Sequence, residues 1–285
     1  MKKTFITFLL IILLTGSLFS QGIYIRAGGG YGLPIATASL GSKILYSDVN
    51  NVITNSTQSV TGSYGAGGNF NFAAGYKFNE NFIFEIGTQY LMSNKYETYN
   101  RNIYTGYEDN VNTTTSAKAF FINPSFIFSA GFGKAAPYGR FGFIIGVPKI
   151  SGSEISYYNG DGIDSVGSKW EYSKGISFGF QGAIGMNWKL TDKLDIYTEL
   201  NYVSMTYYPG EYNLTKYVHS DGFTTTDNLP NMSLSQIKTL YKRKYDPSTV
   251  NIDSNQPQVA LREATPFSSL SLQVGIRFTL WKKSQ

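Results

Sequence analysis

Residues 82–90 read Phe82-Ile83-Phe84-Glu85-Ile86-Gly87-Thr88-Gln89-Tyr90. Every second position gives Phe82, Phe84, Ile86, Thr88 and Tyr90 on one face, and Ile83, Glu85, Gly87 and Gln89 on the other. Side chains alternate across a β-strand with a period of two, so the stretch sorts into an apolar and a mostly polar or small face; a helical period would mix them.

The same pattern recurs on both sides. Upstream, Ile23, Ile25 and Ala27 alternate with Tyr24, Arg26 and Gly28, and Phe70, Phe72, Ala74 and Tyr76 with Asn69, Asn71, Ala73 and Gly75. Downstream, Phe120, Ile122, Phe126 and Phe128 oppose Phe121, Asn123 and Ser125, with Pro124 between them marking a bulge or bend because it lacks a ladder donor. Phe141, Phe143, Ile145 and Val147 oppose Arg140, Gly142 and Gly146; Ile176, Phe178, Phe180, Ile184 and Met186 oppose Ser177, Gly179, Gln181 and Asn187. Leu194, Ile196, Leu200 and Tyr202 then face away from Asp195, Glu199 and Asn201, and Leu272, Val274, Ile276, Phe278 and Leu280 from Gln273, Gly275, Arg277 and Thr279. The sum is eight predicted strands in an all-β chain.

Their connections alternate in length. Asn79-Glu80-Asn81, Gly131 to Pro137 and Thr191-Asp192-Lys193 are short; Leu33 to Thr61, Ser93 to Thr115, Lys149 to Tyr172 and Tyr208 to Pro266 are long and polar. A rival layout has ten strands, with a further hairpin at Asp221-Gly222, a favoured type I′ pair.

The apolar face could point inward, as in a soluble ligand-binding barrel, or outward to lipid. The faces run for about 9 to 11 residues, the length a tilted strand needs to cross a bilayer. Tyr76, Phe78, Phe82, Trp188 and Trp281 stand at their ends like an interfacial girdle. The other face has few Lys or Glu and would make a poor soluble exterior, but its Gly, Asn, Gln and Ser suit a crowded lumen. The expectation is an eight-stranded antiparallel up-and-down transmembrane β-barrel, which satisfies every backbone donor and acceptor in lipid.

Composition narrows the chemistry. Charged residues make up 15% of the 285 and aromatic residues 16%, with 30 Gly. With no Cys there is no disulfide framework, thiolate zinc site or Cys nucleophile, and one His excludes a His-rich metal centre. A net charge of +5, with Lys2 and Lys3 in a segment expected to be removed, is a poor basis for nucleic-acid binding. That segment, residues 1–20, has the order of a secretory signal: Lys2-Lys3, the apolar run Phe5 to Leu14 broken by Thr7, then small residues. Thr15 and Ser17 fit a small-x-small cleavage site, while cleavage after Ser20 leaves less chain before the first strand and is preferred. The barrel domain would then occupy 21–285, with four long extracellular loops and both termini periplasmic.

The C-terminal run Gln273-Val274-Gly275-Ile276-Arg277-Phe278-Thr279-Leu280 resembles the sorting signal of bacterial outer-membrane barrels, with Gln273, Gly275, Phe278 and Leu280 at its pattern positions. It departs from the usual form by continuing through Trp281 to Gln285 instead of stopping on an aromatic residue. Together with Pro137-Tyr138-Gly139-Arg140-Phe141-Gly142, the mature chain resembles in architecture the small OmpA/OmpX-like outer-membrane β-barrel family of Gram-negative bacteria. The resemblance implies an outer-membrane location, insertion by the barrel-assembly machinery, and contact with outer-membrane lipid and lipopolysaccharide. Members serve as anchors, adhesins, assembly factors or small enzymes, so fold leaves activity open.

Arg26, Arg140, Arg277, Glu85 and Glu199 all project to the lumen a few residues from the short-turn end, with Asp195 a further candidate. In a medium poor in water, such charges are expected to pair as an interior plug; a gated ion path is the alternative. Catalysis is not expected: the only His is His219, and in an extended chain His219-Ser220-Asp221 point in alternate directions. No cofactor or metal is expected either. Asn159-Gly160-Asp161-Gly162-Ile163-Asp164 has its Gly at the wrong place for a calcium loop and reads as a turn, and Gly28-Gly29-Gly30-Tyr31-Gly32 is followed by no helix. Asn55-Ser56-Thr57 and Asn213-Leu214-Thr215 fit glycosylation sequons, which matter only in a eukaryotic secretory chain. Ser233 to Gln236 forms a capping pattern before Ile237, Leu240, Tyr241 and Tyr245, with Lys238, Lys242, Arg243 and Lys244 opposite and Pro247 beyond, predicting a short basic amphipathic helix. Two functions follow: a non-enzymatic structural or surface-interaction barrel, or subunit of an envelope assembly with a protein partner; alternatively, a small ion or solute channel.

Overall fold

The computed structural model describes residues 22–49, 52–101, 110–130, 134–158, 164–244 and 253–282. The expected signal segment, most of the Asn159 to Asp164 turn, and Tyr245 and Pro247 lie outside the described residues. Eight strands form a closed ring: β1 (Gly22–Pro34), β2 (Gly67–Lys77), β3 (Phe82–Ser93), β4 (Asn110–Ser129), β5 (Ala135–Tyr158), β6 (Ser177–Lys189), β7 (Leu194–Tyr207) and β8 (Ser269–Lys282). Each pairs antiparallel with the next in chain order, and β8 pairs with β1. Closure leaves the ring without an edge.

The period-two faces are disposed as the sequence reading has them. Phe70, Phe72, Ile86, Phe120, Phe143, Phe178, Ile184 and Leu272 are exposed on the outside, while Asn69, Glu85, Gln89, Asn123, Arg140, Gln181, Asn201 and Gln273 are buried within. Pro124 opposes Ile86 of β3, and on its other side pairing with β5 lapses between Ile122 and Ser125 and resumes unshifted. The missing donor therefore makes a gap in the ladder, not a bulge.

Three lumen tyrosines each stand opposite a glycine of the neighbouring strand: Tyr24 and Gly75, Tyr138 and Gly185, Tyr197 and Gly275. A Cβ at any of these glycines would fall on the facing ring, so the glycine is what lets the phenol lie flat against the wall. The narrow bore holds large side chains by this means.

The long polar connections contain much regular strand. β4 is 20 residues long and β5 is 24, about 80 Å if fully extended, so both run far past the apolar band. Residues within the expected loops Ser93 to Thr115 and Lys149 to Tyr172 thus belong largely to strands. Thr113, Thr114 and Thr115 are good strand formers, and Thr114 Oγ1 lies 3.0 Å from Ser153 Oγ across the pair. The sheet continues beyond β5 through Asp164–Ser173 and Glu211–Ser220 to Lys238–Lys242, and beyond β4 through Tyr96–Arg101 to the hairpin Ala38–Val49 with Val52–Gly62. We call this continuation the rim sheet.

The Asp221-Gly222 hairpin exists, but in the rim: Glu211–Ser220 pairs with Thr225–Asp227 and neither joins the ring, so the ten-stranded layout does not hold. Its turn spans four residues instead of a two-residue type I′ loop, because Asp221 Oδ1 accepts the backbone N–H groups of Phe223 and Thr224 at 3.0 and 2.7 Å. The basic helix is also corrected. One turn, Leu234–Ile237, is helical, with Gln236 Oε1 accepting the Ser233 N–H at 2.9 Å; Lys238–Lys242 is a strand. Leu240 pairs with Glu211, and Thr239 to Lys242 also pair with Gln258–Leu261, so two neighbouring strands outweigh the local helical spacing.

Candidate functional site

In a ring of eight strands, β1, β3, β5 and β7 stand about a quarter-turn apart. They carry Arg26, Glu85, Arg140 and Glu199, so charge alternates in sign around the bore. These residues are 5%, 0%, 7% and 1% exposed. Arg26 lies 3.3 Å from Glu85 Oε2 and 3.3 Å from Glu199 Oε2. Arg140 lies 3.7 Å from Glu85 Oε1 and also pairs with Glu199 Oε1. Each carboxylate thus faces both guanidiniums. Each also accepts a phenol, Tyr24 to Glu85 at 2.8 Å and Tyr138 to Glu199 at 2.9 Å, and the Arg26 guanidinium sits 4.6 Å from the Tyr197 ring centroid. Burial of four charges is tolerable only with this degree of pairing.

Arg277 is not part of the square. It stands directly opposite Arg26 on β1 and Asp195 on β7. Like charges across a pair repel, and the guanidinium turns to Asp195, with Nε and Nη2 at 2.8 and 2.6 Å from Oδ2. Its guanidinium also lies 5.3 Å from the centroid of the Tyr24 ring, whose hydroxyl donates to Glu85. The expected cluster of three cations and two anions is therefore a two-by-two square and a separate pair.

Of the sorting-pattern residues, Gln273 is a lumen residue: it accepts from Asn71 at 3.0 Å and donates to Asn69 at 3.3 Å. Gly275 receives the Tyr197 ring, while Phe278 and Leu280 are exposed outside. The girdle residues Trp188 and Trp281 are exposed at the short-turn ends of β6 and β8. Tyr76 and Phe82 both pack on Phe78, with ring centroids 5.0 and 5.4 Å apart.

Above the polar layer the lumen turns apolar, a layer absent from the sequence reading. Leu91, Phe121, Ile144, Val203, Met205 and Tyr207 point inward. Two connecting segments complete the plug from above. Tyr64 N–H bonds Pro266 O at 3.0 Å, the Tyr64 hydroxyl reaches Thr115 at 2.6 Å, and Phe267 packs between Tyr64, tilted, and Tyr207, edge-on, with ring centroids 5.8 and 5.7 Å away. Their signal was apolar residues at inward positions, Leu91, Ile144 and Val203, which the polar-lumen reading passed over.

Over this plug the rim sheet encloses a hollow. Trp170, Tyr172, Tyr212 and Tyr241 share its concave side, with Tyr172 5.3 Å from Tyr212 and 6.1 Å from Tyr241. On the strand that carries Tyr212, burial works upward on the Glu211 carboxyl, but Asn213, Lys174 and Lys238 hold it down at about 2. His219 lies outside this hollow, 2.6 Å from Asp164 Oδ1, and the Asp221 carboxylate is engaged by its own turn, so His219, Ser220 and Asp221 do not assemble into a triad.

No protein-family model matches the chain, and no curated protein does. Among solved structures it is similar to Neisserial surface protein A (NspA), at 14% identity and a TM-score of 0.38, over 92% of this chain and 99% of that one. It is also similar to the outer membrane protein OprG from Pseudomonas aeruginosa, at 10% identity and a TM-score of 0.43, over 92% of this chain and 97% of that one.

Proposed function

We propose that the chain is a non-enzymatic outer-membrane barrel of the OmpA/OmpX-like kind, closed to conduction, whose working surface is the rim sheet held above the outer leaflet. One observation carries the reading: a continuous apolar exterior, with Phe70, Phe143, Phe178 and Leu272 all more than half exposed, around a bore filled by a charged square and an apolar plug. Such an exterior is out of place in water and at home in lipid. Residues 1–20 act as the export signal, lipid and lipopolysaccharide surround the barrel, the assembly machinery inserts it, and an envelope protein is its partner at the surface. Both termini lie on the periplasmic side.

The protein is expected to fractionate with outer membranes and to migrate faster on gels when unheated; release by carbonate or salt alone would reject the membrane reading. A tag within Asn228 to Met232 should be reachable on whole cells and one after Lys193 should not. Planar-bilayer recording of the purified protein should give little conductance, and a steady large unitary current would put the channel reading in its place.

A further inference from the structure

The hollow within the rim sheet has the chemistry of a ligand site. Its deeper part is a cavity of about 310 Å³ walled by Tyr64, Trp170, Tyr172, Tyr241 and Glu263, and floored by the apolar plug. Its outer part, of about 400 Å³, shares Trp170, Tyr172 and Tyr241 and adds Tyr212 and Glu154. These volumes fall in the small-molecule range of roughly 300–1,000 Å³. Trp170 lies flat on β5 at Gly152, where a Cβ would strike the indole, so the opposite ring face is turned to the hollow.

Charge decides what would fit. Among the described residues, neither lining includes Lys or Arg, and both include a carboxylate. Four cations around the hollow are paired: Lys174 and Lys238 on Glu211 at 3.0 and 3.1 Å, Lys43 on Glu97, and Lys149 on Glu171 at 2.7 Å. Arg262, next to Glu263, donates its Nε to Tyr241 O at 3.1 Å. Aromatic faces attract cations through their quadrupole, and a carboxylate at the margin adds to that attraction.

We propose that this vestibule binds a small organic cation of the quaternary-ammonium class, with its onium group among Trp170, Tyr172 and Tyr241 and Glu263 balancing the charge. The site ends blind on the plug, so the ligand is held at the surface and not passed through. This goes beyond the surface-protein reading and needs only the folded vestibule, whichever way the barrel faces.

Choline chloride is titrated into the purified full chain by calorimetry at constant ionic strength, beside its neutral isostere dimethylbutanol and beside maltose. Choline should bind saturably in the millimolar range, roughly tenfold tighter than the isostere, and should change tryptophan emission in wild type but not in Trp170→Phe. Glu263→Gln should weaken binding about fivefold and Tyr241→Leu about tenfold. Heat-modifiable migration verifies that the ring of each variant is folded, and wild-type resistance of the rim to limited proteolysis at neutral pH verifies the vestibule. Equal affinity for the isostere, maltose bound in place of choline, no saturation by about 100 mM, or wild-type affinity in both folded variants would each overturn the inference. Failure of the membrane reading shows instead in fractionation and tag accessibility, which these titrations do not touch.

Discussion

Toward the short-turn end, the bore is crossed by Arg26, Glu85, Arg140 and Glu199, each contributed by a different strand and each bound to two of the others. Toward the rim it is crossed by Phe121, Ile144, Tyr207 and Phe267, backed by Tyr64 from a connecting segment. The square is directional: removing one member strands its partners in a place without bulk water. The plug is graded, since each side chain contributes by its buried area and its neighbours can partly close over a loss. The square belongs to the ring alone, whereas the plug depends on the chain above it being folded.

The sharpest way to break this contrast is Glu199→Ala, which leaves two guanidiniums facing one carboxylate and frees the Tyr138 hydroxyl. A loss of about 4 kcal/mol is expected, measured by urea titration of the heat-modifiable form in micelles. Phe267→Ala, in the plug, should cost about 3 kcal/mol, less than the square because the site can relax. It should also loosen the vestibule floor, read as faster quenching of Trp170 by acrylamide. A third test separates rim from ring by pH. The Glu211 carboxyl is held at about 2 in the folded rim, so its contribution is complete above the ordinary value of about 4.3 and is lost as pH falls between the two. Pepsin should therefore cut the rim increasingly below pH about 4 while the ring resists, and Glu211→Gln should flatten that dependence. The smallest effect is expected for Arg277→Met, which removes a single, less deeply buried pair: about 1 kcal/mol in the same urea titration, with insertion intact.

How far these regions could be read from sequence differs for a physical reason. A strand with an apolar exterior on one side and a narrow polar lumen on the other must alternate, so Phe82 to Tyr90 and its seven counterparts declared themselves, and the depth of Arg26, Glu85, Arg140 and Glu199 followed from register. The partition of Arg277 did not, because it depends on cross-strand neighbours that only ring closure fixes: Arg26 on one side and Asp195 on the other. The rim was least legible. Beyond the apolar band the strands have no apolar exterior to keep and lose the alternation, so Thr113 to Thr115 and Lys169 to Tyr172 resembled loop, and Lys238 to Lys242 carried a helical spacing that strand pairing overrode.

Because β4 and β5 leave the apolar band as an unbroken antiparallel pair, from Phe120 with Val147 up to Asn110 with Tyr157, the rim is not tethered by a hinge. It stands as a mast stepped into the hull. A pull or push at the rim is transmitted as torque to the ring, and the whole ring must turn before the rim can fold over. Whatever meets the rim meets a stiff post whose bearing is set by the ring.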